Sequence, residues 1–342
     1  MSTRTTTRGS APRLLYFAYD HQRPSGGQKT TYRHVDILVR NGFDAAVFHQ
    51  ADGFRLDWFS NATPVVGPAD LRSGSFGGRV IFVLPEDLGR MITRFPGRKV
   101  VFDQGPSLGF SALGLARPRL YPYLDDSVGA LIVVSEASRA HLKYAFPDRR
   151  IIRVTNAVSG ERFRFVPLRR KHKIVAMAAN KNRLDVMQVF HLLRSRATQR
   201  LNNAIDWKFV SLENLNEQAL RNTLARASFL LFLSMHEGFG ILPIEAMLSG
   251  TIVLAYSTPP MTEYLTSGNS LLSRPGDFLS VARDVERAIE WSVAEPARLE
   301  AIAARARAGA ERFSLERQEA SVLRAWREIL RSPRWPLLPR RK

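Results

Sequence analysis

Cysteine is absent from the 342 residues. No disulfide staple is available, and the composition fits a reducing compartment. A chain of this length needs no staple, because it is long enough for two domains that each bury a substantial core. Long apolar runs are missing too. The most apolar stretch, Phe229 to Leu233, is far short of the roughly 20 residues of a membrane span. The opening MSTRTTTRGSAPR carries no apolar segment, so it does not read as a secretory signal; it reads as a short disordered tail. Acidic residues are in short supply, 31 Asp and Glu against 50 Lys and Arg, for a net charge of +19. Such a field attracts nucleic acid, anionic lipid or phosphorylated small molecules. Most of the positive charge is arginine, which grips phosphate in a bidentate way. Solvated Arg-rich faces would account for the same count. Part of the charge is clustered, at Arg162, Arg164, Arg169, Arg170, Lys171 and Lys173, and again at Arg340, Arg341 and Lys342.

Two familiar nucleotide signatures are also lacking. Gly27-Gln28-Lys29-Thr30 is not a P-loop, because Gln28 stands where a glycine must precede the lysine. No G-x-G-x-x-G follows the first apolar run, which argues against a nicotinamide site. What is present is a repeated alternation of strand, turn and helix. Apolar runs at Leu14–Tyr19, Ala45–Phe48, Val80–Leu84, Val100–Phe102, Ala130–Val134 and Ile151–Val154 read as buried strands. Helices fall between them: one with Val35, Leu38 and Val39 on one face, one over Pro85–Arg94, and one over Glu136–Ala145. A second series follows the basic stretch. Its strands are Lys173–Ala178, Trp207–Leu212, Phe229–Leu233 and Ile252–Ala255, and its helices Leu184–Arg194, Asn214–Arg226, one from Pro243, Asp277–Val293 and Pro296–Phe313. A last helix covers Leu315–Arg331. The pattern predicts two α/β domains with doubly wound parallel sheets. The expected division is 12–166, 167–315, and a C-terminal helix with a basic tail over 316–342.

The sharpest segment is Ser234-Met235-His236-Glu237-Gly238-Phe239-Gly240-Ile241-Leu242-Pro243-Ile244-Glu245-Ala246-Met247. It follows a buried strand and opens a helix, and ligands of open α/β sheets bind at the carboxyl ends of strands. Gly238 and Gly240 let the backbone approach a ligand, and Pro243 suits a first helical turn. The free N–H groups of that turn favour an anion. Glu237 and Glu245 flank the turn with seven residues between them. Carboxylates suit the hydroxyls of a sugar or ribose. Glu245 by itself could be a helix-start acid that the dipole stabilises by about 0.3–1 kcal/mol, but the whole constellation asks for more.

These residues resemble the Glu-x7-Glu signature of the retaining GT-B glycosyltransferases of glycosyltransferase family 4. Further resemblances follow in order: Ser249-Gly250, Pro259 to Leu265, Gly268-Asn269-Ser270 and Pro275-Gly276-Asp277, and earlier Val133 to Ser138 and Thr155 to Val158 with Phe163. The resemblance implies a GT-B fold with two Rossmann-like domains facing across a cleft, the last helix crossing back to the first domain, and closure that excludes water. It implies that Glu245 holds the ribose, that Glu237 holds hydroxyls of the transferred sugar, and that the amides of Phe239, Gly240 and Ile241 face the sugar and phosphates. It also implies front-face attack with retention, in which the leaving phosphate helps to deprotonate the acceptor.

Three further places belong to the expected site. Gly26 and Gly27, in the loop between the first strand and its helix, match the family's Gly-Gly loop near the donor phosphates, although a plain turn explains a glycine pair equally well. Asn180-Lys181-Asn182-Arg183 offers Lys181 and Arg183 to a departing phosphate; the spacing departs from the family's Arg and Lys, and two solvated charges are the alternative. Gln104 stands where many relatives carry a histidine, and an amide can bind a hydroxyl but cannot act as a base. His21 and His49 fall at strand ends and could line the cleft, but a structural role is the simpler account of each. No metal site is expected: there is no His/Cys cluster, and Asp125-Asp126 is a poor match to the Asp-x-Asp motif of metal-dependent relatives. No cofactor is expected beyond the nucleotide sugar as substrate. The expected acceptor is a glycan or lipid-linked intermediate of cell-surface polysaccharide synthesis. The expected place is the cytoplasm, with a basic surface suited to the inner face of the membrane. Two other readings stay open: a basic binding protein that keeps the fold without turnover, and transfer to a nucleic-acid acceptor. No aromatic-interleaved basic patch supports the second.

Overall fold

The computed structural model describes residues 11–73, 79–115, 121–200 and 206–331. The C-terminal Arg340, Arg341 and Lys342 lie outside them, as does the expected tail up to residue 10; Arg13 already belongs to the first strand. The chain divides into two compact units. Within the described residues, the first takes the chain up to Val133, then Arg139–Val154, then the chain from Glu319 onward. The second takes Val134–Ser138 and Thr155–Gln318. Residues 155–166, read from sequence as the end of the first domain, thus group with the second unit.

The first unit is built on seven parallel strands: β1 (Arg13–Phe17), β2 (Ala45–Phe48), β3 (Val65–Val66), β4 (Val80–Pro85), β5 (Arg98–Asp103), β6 (Val128–Val133) and β7 (Ile151–Arg153). Their order is β3-β2-β1-β4-β5-β6-β7. Parallel strands are covered on both faces, which is why they read as unbroken apolar runs; all four residues of β2 are buried. Helix α1 (Gly26–Arg40) buries Thr31, His34, Val35 and Leu38 along one side. Val39, read as part of that face, is exposed instead, and Ile37 is buried. Helices α2 (Pro68–Arg72) and α3 (Pro106–Ser111) are single short turns that start on proline. The stretch Glu86–Arg94 is not the α-helix that the pattern predicts. It is 3-10 in character and broken at Gly89, whose φ of 51° and ψ of −123° no helix contains. Helix α4 (Glu136–Ala145) precedes β7.

The second unit has five parallel strands, β8 (His172–Met177), β9 (Lys208–Ser211), β10 (Ala227–Phe232), β11 (Ile252–Tyr256) and β12 (Leu271–Ser273), in the order β12-β11-β10-β8-β9. Helices α5 (Arg183–Arg200), α6 (Glu217–Arg226), α7 (Ile241–Leu248), α8 (Phe278–Ala294) and α9 (Pro296–Ala310) accompany them. Every residue of β10 is buried, and Phe229 stacks on Trp207 at 5.1 Å within this core.

The basic stretch does not form one patch. The Lys171 side chain is half-buried, and its ammonium donates to the carbonyls of Leu224 (2.8 Å) and Ala225 (3.2 Å) and to the Thr251 hydroxyl (3.0 Å). It thereby satisfies carbonyls at the end of α6 that the helix itself leaves unpaired. Burial lowers its pKa to about 7. Arg162 pairs with Glu217 at 2.9 Å and Lys173 with Asp206 at 3.4 Å. Arg169 and Arg170 stay exposed.

Helix α10 (Leu315–Leu330) ends the described chain, and its length from Glu319 packs with the first unit. Val322, Ala325, Trp326 and Ile329 are buried at helical spacing. The Trp326 indole N–H donates to the Tyr16 hydroxyl on β1 at 2.7 Å, with the rings 6.1 Å apart. Arg40 pairs with Glu319 at 2.5 Å and Arg150 with Glu328 at 3.0 Å. Trp326→Ala should therefore destabilise the first unit by about 3–5 kcal/mol, read from urea denaturation. A loss below about 1 kcal/mol would mean that the indole does not anchor the helix.

Candidate active site

In an open parallel sheet a crevice forms where the strand order reverses, outside the carboxyl ends. In the second unit that reversal lies between β10 and β8. The segment after β8 carries Lys181 and the segment after β10 carries Glu237. The fold thus brings together two side chains that lie far apart in sequence. The Lys181 ammonium lies 2.9 Å from Oε1 of Glu237. The Ser234 hydroxyl donates to the same oxygen at 3.0 Å. Among the described residues no further hydrogen bond reaches this carboxylate, so Oε2 stays available. Glu237 is only 11% exposed at its side chain, whereas Lys181 is 44% exposed. The pair therefore presents a held carboxylate and a reachable cation side by side. Arg183, the second candidate cation, sits exposed at the start of α5.

The loop between Glu237 and α7 is fixed from several sides. Gly240 is the residue before the helix and has φ +80°, a left-handed value that costs other residues about 1–2 kcal/mol. A Cβ placed there would lie 2.8 Å from the Tyr264 hydroxyl. That hydroxyl donates to the carbonyls of Gly240 (2.7 Å) and Phe239 (3.0 Å). The Ser138 hydroxyl reaches the Gly238 carbonyl at 3.4 Å, and the Ala137 amide donates to Glu263 at 2.8 Å. Ile241 is the first residue of α7, and Glu245, 8% exposed, lies one turn further on. His236 is exposed. Ser234 and Tyr264 were given no role in the reading of the sequence. Ser234 stands three residues before Glu237, a Ser-x-x-Glu spacing that signals a side-chain contact, although the helix itself begins only at Ile241. Tyr264 gives no local signal, because its partners come from a distant loop.

The remaining candidates lie in the first unit. Gly26 and Gly27 are not in a loop: they are the first two residues of α1, after the N-cap Ser25. Ser25 has the extended backbone of a cap (φ −144°, ψ 124°), and its hydroxyl accepts from the Gln28 amide at 3.5 Å. The Gln104 side-chain amide donates to the Gly27 carbonyl at 3.3 Å, and a Cβ on Gly27 would meet that amide at 3.4 Å. The reversal of strand order in this unit lies between β1 and β4; Gly26 and Gly27 follow β1, whereas Gln104 follows β5, one strand beyond β4. Beneath Gln104 lies a buried acidic pair. Asp103 accepts from the Tyr123 hydroxyl at 2.9 Å, and burial raises its pKa to about 7. Burial and the charge of Asp103 together push Glu86 well above the usual carboxylate range. The two histidines behave differently from each other. His49 is buried, with Nε2 2.6 Å from the Tyr32 hydroxyl and Nδ1 2.8 Å from Asp20, so it holds the local structure rather than facing a ligand. His21 is exposed beside the Gln28 amide.

Two measurements test this geometry. Asp103 favours its protonated form in the fold, so the stability it contributes is complete below about pH 4 and is lost as pH rises through about 7. Asp103→Asn is neutral throughout, so its Tm relative to the parent should climb between about pH 4 and pH 7 and level off above that. A difference independent of pH would refute the shift. Gly240→Ala should cost at least about 1–2 kcal/mol in urea unfolding, since it adds the contact with Tyr264 to the left-handed backbone. An unchanged midpoint would show that the loop simply moves aside.

Comparison with known proteins agrees with this architecture. Sucrose-phosphate synthase from Thermosynechococcus elongatus shares 13% identity and a TM-score of 0.69, over 94% of this chain and 99% of that one. WaaG, a glycosyltransferase involved in lipopolysaccharide biosynthesis, shares 14% and a TM-score of 0.63, over 93% and 100%. HepE of Anabaena, in complex with UDP-glucose, shares 16% and a TM-score of 0.58, over 92% and 99%. No curated protein matches the chain. The fold is GT-B, and residues 193–307, a span that holds Glu237, Gly240 and Glu245, match the family described as glycosyl transferases group 1.

Proposed function

We propose that the protein is a retaining glycosyltransferase that takes its sugar from a nucleoside diphosphate sugar bound to the second unit. The observation that carries this reading is the Lys181–Glu237 pair at 2.9 Å, set at the strand-order reversal beside the Gly238–Gly240 loop. A sugar diphosphate presents hydroxyls and an anion close together, and the pair offers an acceptor and a cation close together. Oε2 of Glu237 takes a sugar hydroxyl. Lys181 and Arg183 stabilise the charge that builds on the departing phosphate. The amides at the start of α7 face the same anion. Glu245 accepts from the ribose. The acceptor oxygen bonds to the anomeric carbon on the face from which the diphosphate leaves, and the departing phosphate takes the acceptor's proton, so the configuration is retained. No metal enters this scheme, and the nucleotide sugar is its only small-molecule requirement.

The matched family and the glycosyltransferase neighbours support transfer of a sugar. UDP is the first nucleotide to test, because HepE is described in complex with UDP-glucose. The excess of positive charge supports a glycan or lipid-linked acceptor at an anionic surface, and no described helix is long and apolar enough to cross a membrane. On this reading nucleic acid is not the acceptor.

The test is thermal stabilisation by UDP, GDP, ADP, dTDP and NAD, on the parent protein and on Glu245→Ala. One nucleoside diphosphate should raise Tm in the parent, as binding to the folded state alone requires, and the rise should be lost in the variant. Stabilisation by none of them, or an equal rise in Glu245→Ala, would remove the donor site from the second unit and favour a binding protein without turnover.

A further inference from the structure

The chemistry of the Gly238–Gly240 loop depends on where its peptide groups point, and one side chain sets that. Tyr264 is fully buried among aromatic rings, 5.4 Å from Phe239 and 5.7 Å from Phe313. Its own backbone is held by Asn269, whose side-chain amide donates to the Tyr264 carbonyl at 2.9 Å and whose oxygen accepts from the Thr266 amide at 2.8 Å. From this fixed position the single hydroxyl proton is shared between two successive carbonyls, those of Phe239 at 3.0 Å and Gly240 at 2.7 Å.

A trans peptide is planar, and its C=O and N–H point in opposite directions. A donor that draws in the Phe239 carbonyl therefore turns the Gly240 N–H away from itself, and a donor on the Gly240 carbonyl does the same to the Ile241 N–H. Neither amide has a main-chain partner among the described residues. Two successive N–H groups aimed the same way form a concave anion site. The left-handed backbone of Gly240 allows both carbonyls to converge on one hydroxyl, and the close approach of that hydroxyl leaves no room for a Cβ. We propose that Tyr264 is the positioning residue that aims the Gly240 and Ile241 amides at the diphosphate of the donor. The assignment of the ligand rests on the donor-site reading above; the aiming of the amides does not.

Tyr264→Phe removes one oxygen and keeps the ring, so the core stays filled. Two readouts separate the inference from the reading beneath it. The first is the amide 1H–15N spectrum of the full chain without ligand. The Gly240 and Ile241 signals should shift in the variant, because the carbonyl bonded to each of those nitrogens loses its donor, while the signals of β10 and β11 stay in place. Unchanged signals at those two amides, or shifts throughout the unit, overturn the aiming role whatever the ligand. The second is affinity for UDP, or whichever nucleoside diphosphate binds the parent, compared with its nucleoside. The diphosphate should bind about tenfold more weakly, with the nucleoside unchanged, because only the diphosphate uses the amides. Equal weakening of both, or of neither, overturns the proposal. If no nucleotide binds the parent, the donor reading and the diphosphate assignment fall together, and the amide spectrum alone decides whether Tyr264 aims the loop.

Discussion

A carboxylate that is nine-tenths hidden from water needs donors, and Glu237 receives two on a single oxygen. The constraint this imposes spreads outward. Lys181 must come from the end of β8 and Ser234 from the end of β10, so the two strands have to be neighbours with their carboxyl ends level. The parallel pairing of β8 with β10 meets that demand. The loop beyond Glu237 must then turn at once into α7, which requires the left-handed backbone at Gly240. Site and sheet are in this sense one arrangement: strand order sets which loops meet, and the carboxylate sets how closely.

The two units repeat this plan with different chemistry. Both place their candidate residues at the carboxyl ends of central strands, next to the reversal of strand order in the second unit and within one strand of it in the first. In the second unit an ion pair dominates. In the first, two carboxyls, Glu86 and Asp103, lie below the surface with burial favouring their protonated forms, and the groups nearer solvent are an amide side chain and the start of α1. A neutral amide over a helix N-terminus keeps donors and acceptors available without competing for an anion through its own charge.

The doubly wound fold was legible because strands covered on both faces leave continuous apolar runs, as in β4 and β10. The elements that escaped notice are short. The strands β3 and β12 have two and three residues, too few to form a pattern, and α3 is one turn announced only by its proline. Gly26 and Gly27 read as loop because glycine pairs usually mark turns; the capping serine before them was the better signal. Strand order was not legible at all, and with it went the meeting of Lys181 with Glu237. Two separate motifs along the chain point to the two residues, but only the tertiary fold could make them one unit. The strut under Gly240 was hidden for the same reason: Tyr264 lies in another loop, and nothing near it in sequence indicates where its hydroxyl will reach.

The contact between Trp326 and Tyr16 bears on how the protein comes into being. β1 leaves the ribosome before any of the second unit, and the indole that covers its tyrosine leaves after all of it. Most of the second unit, Thr155–Gln318, is made in one uninterrupted stretch between them. A nascent chain usually folds its domains in the order of their synthesis. Here the unit that begins first is finished last, and its sheet waits with a buried face uncovered while the other unit is completed. That interval is when the chain most needs protection from its neighbours.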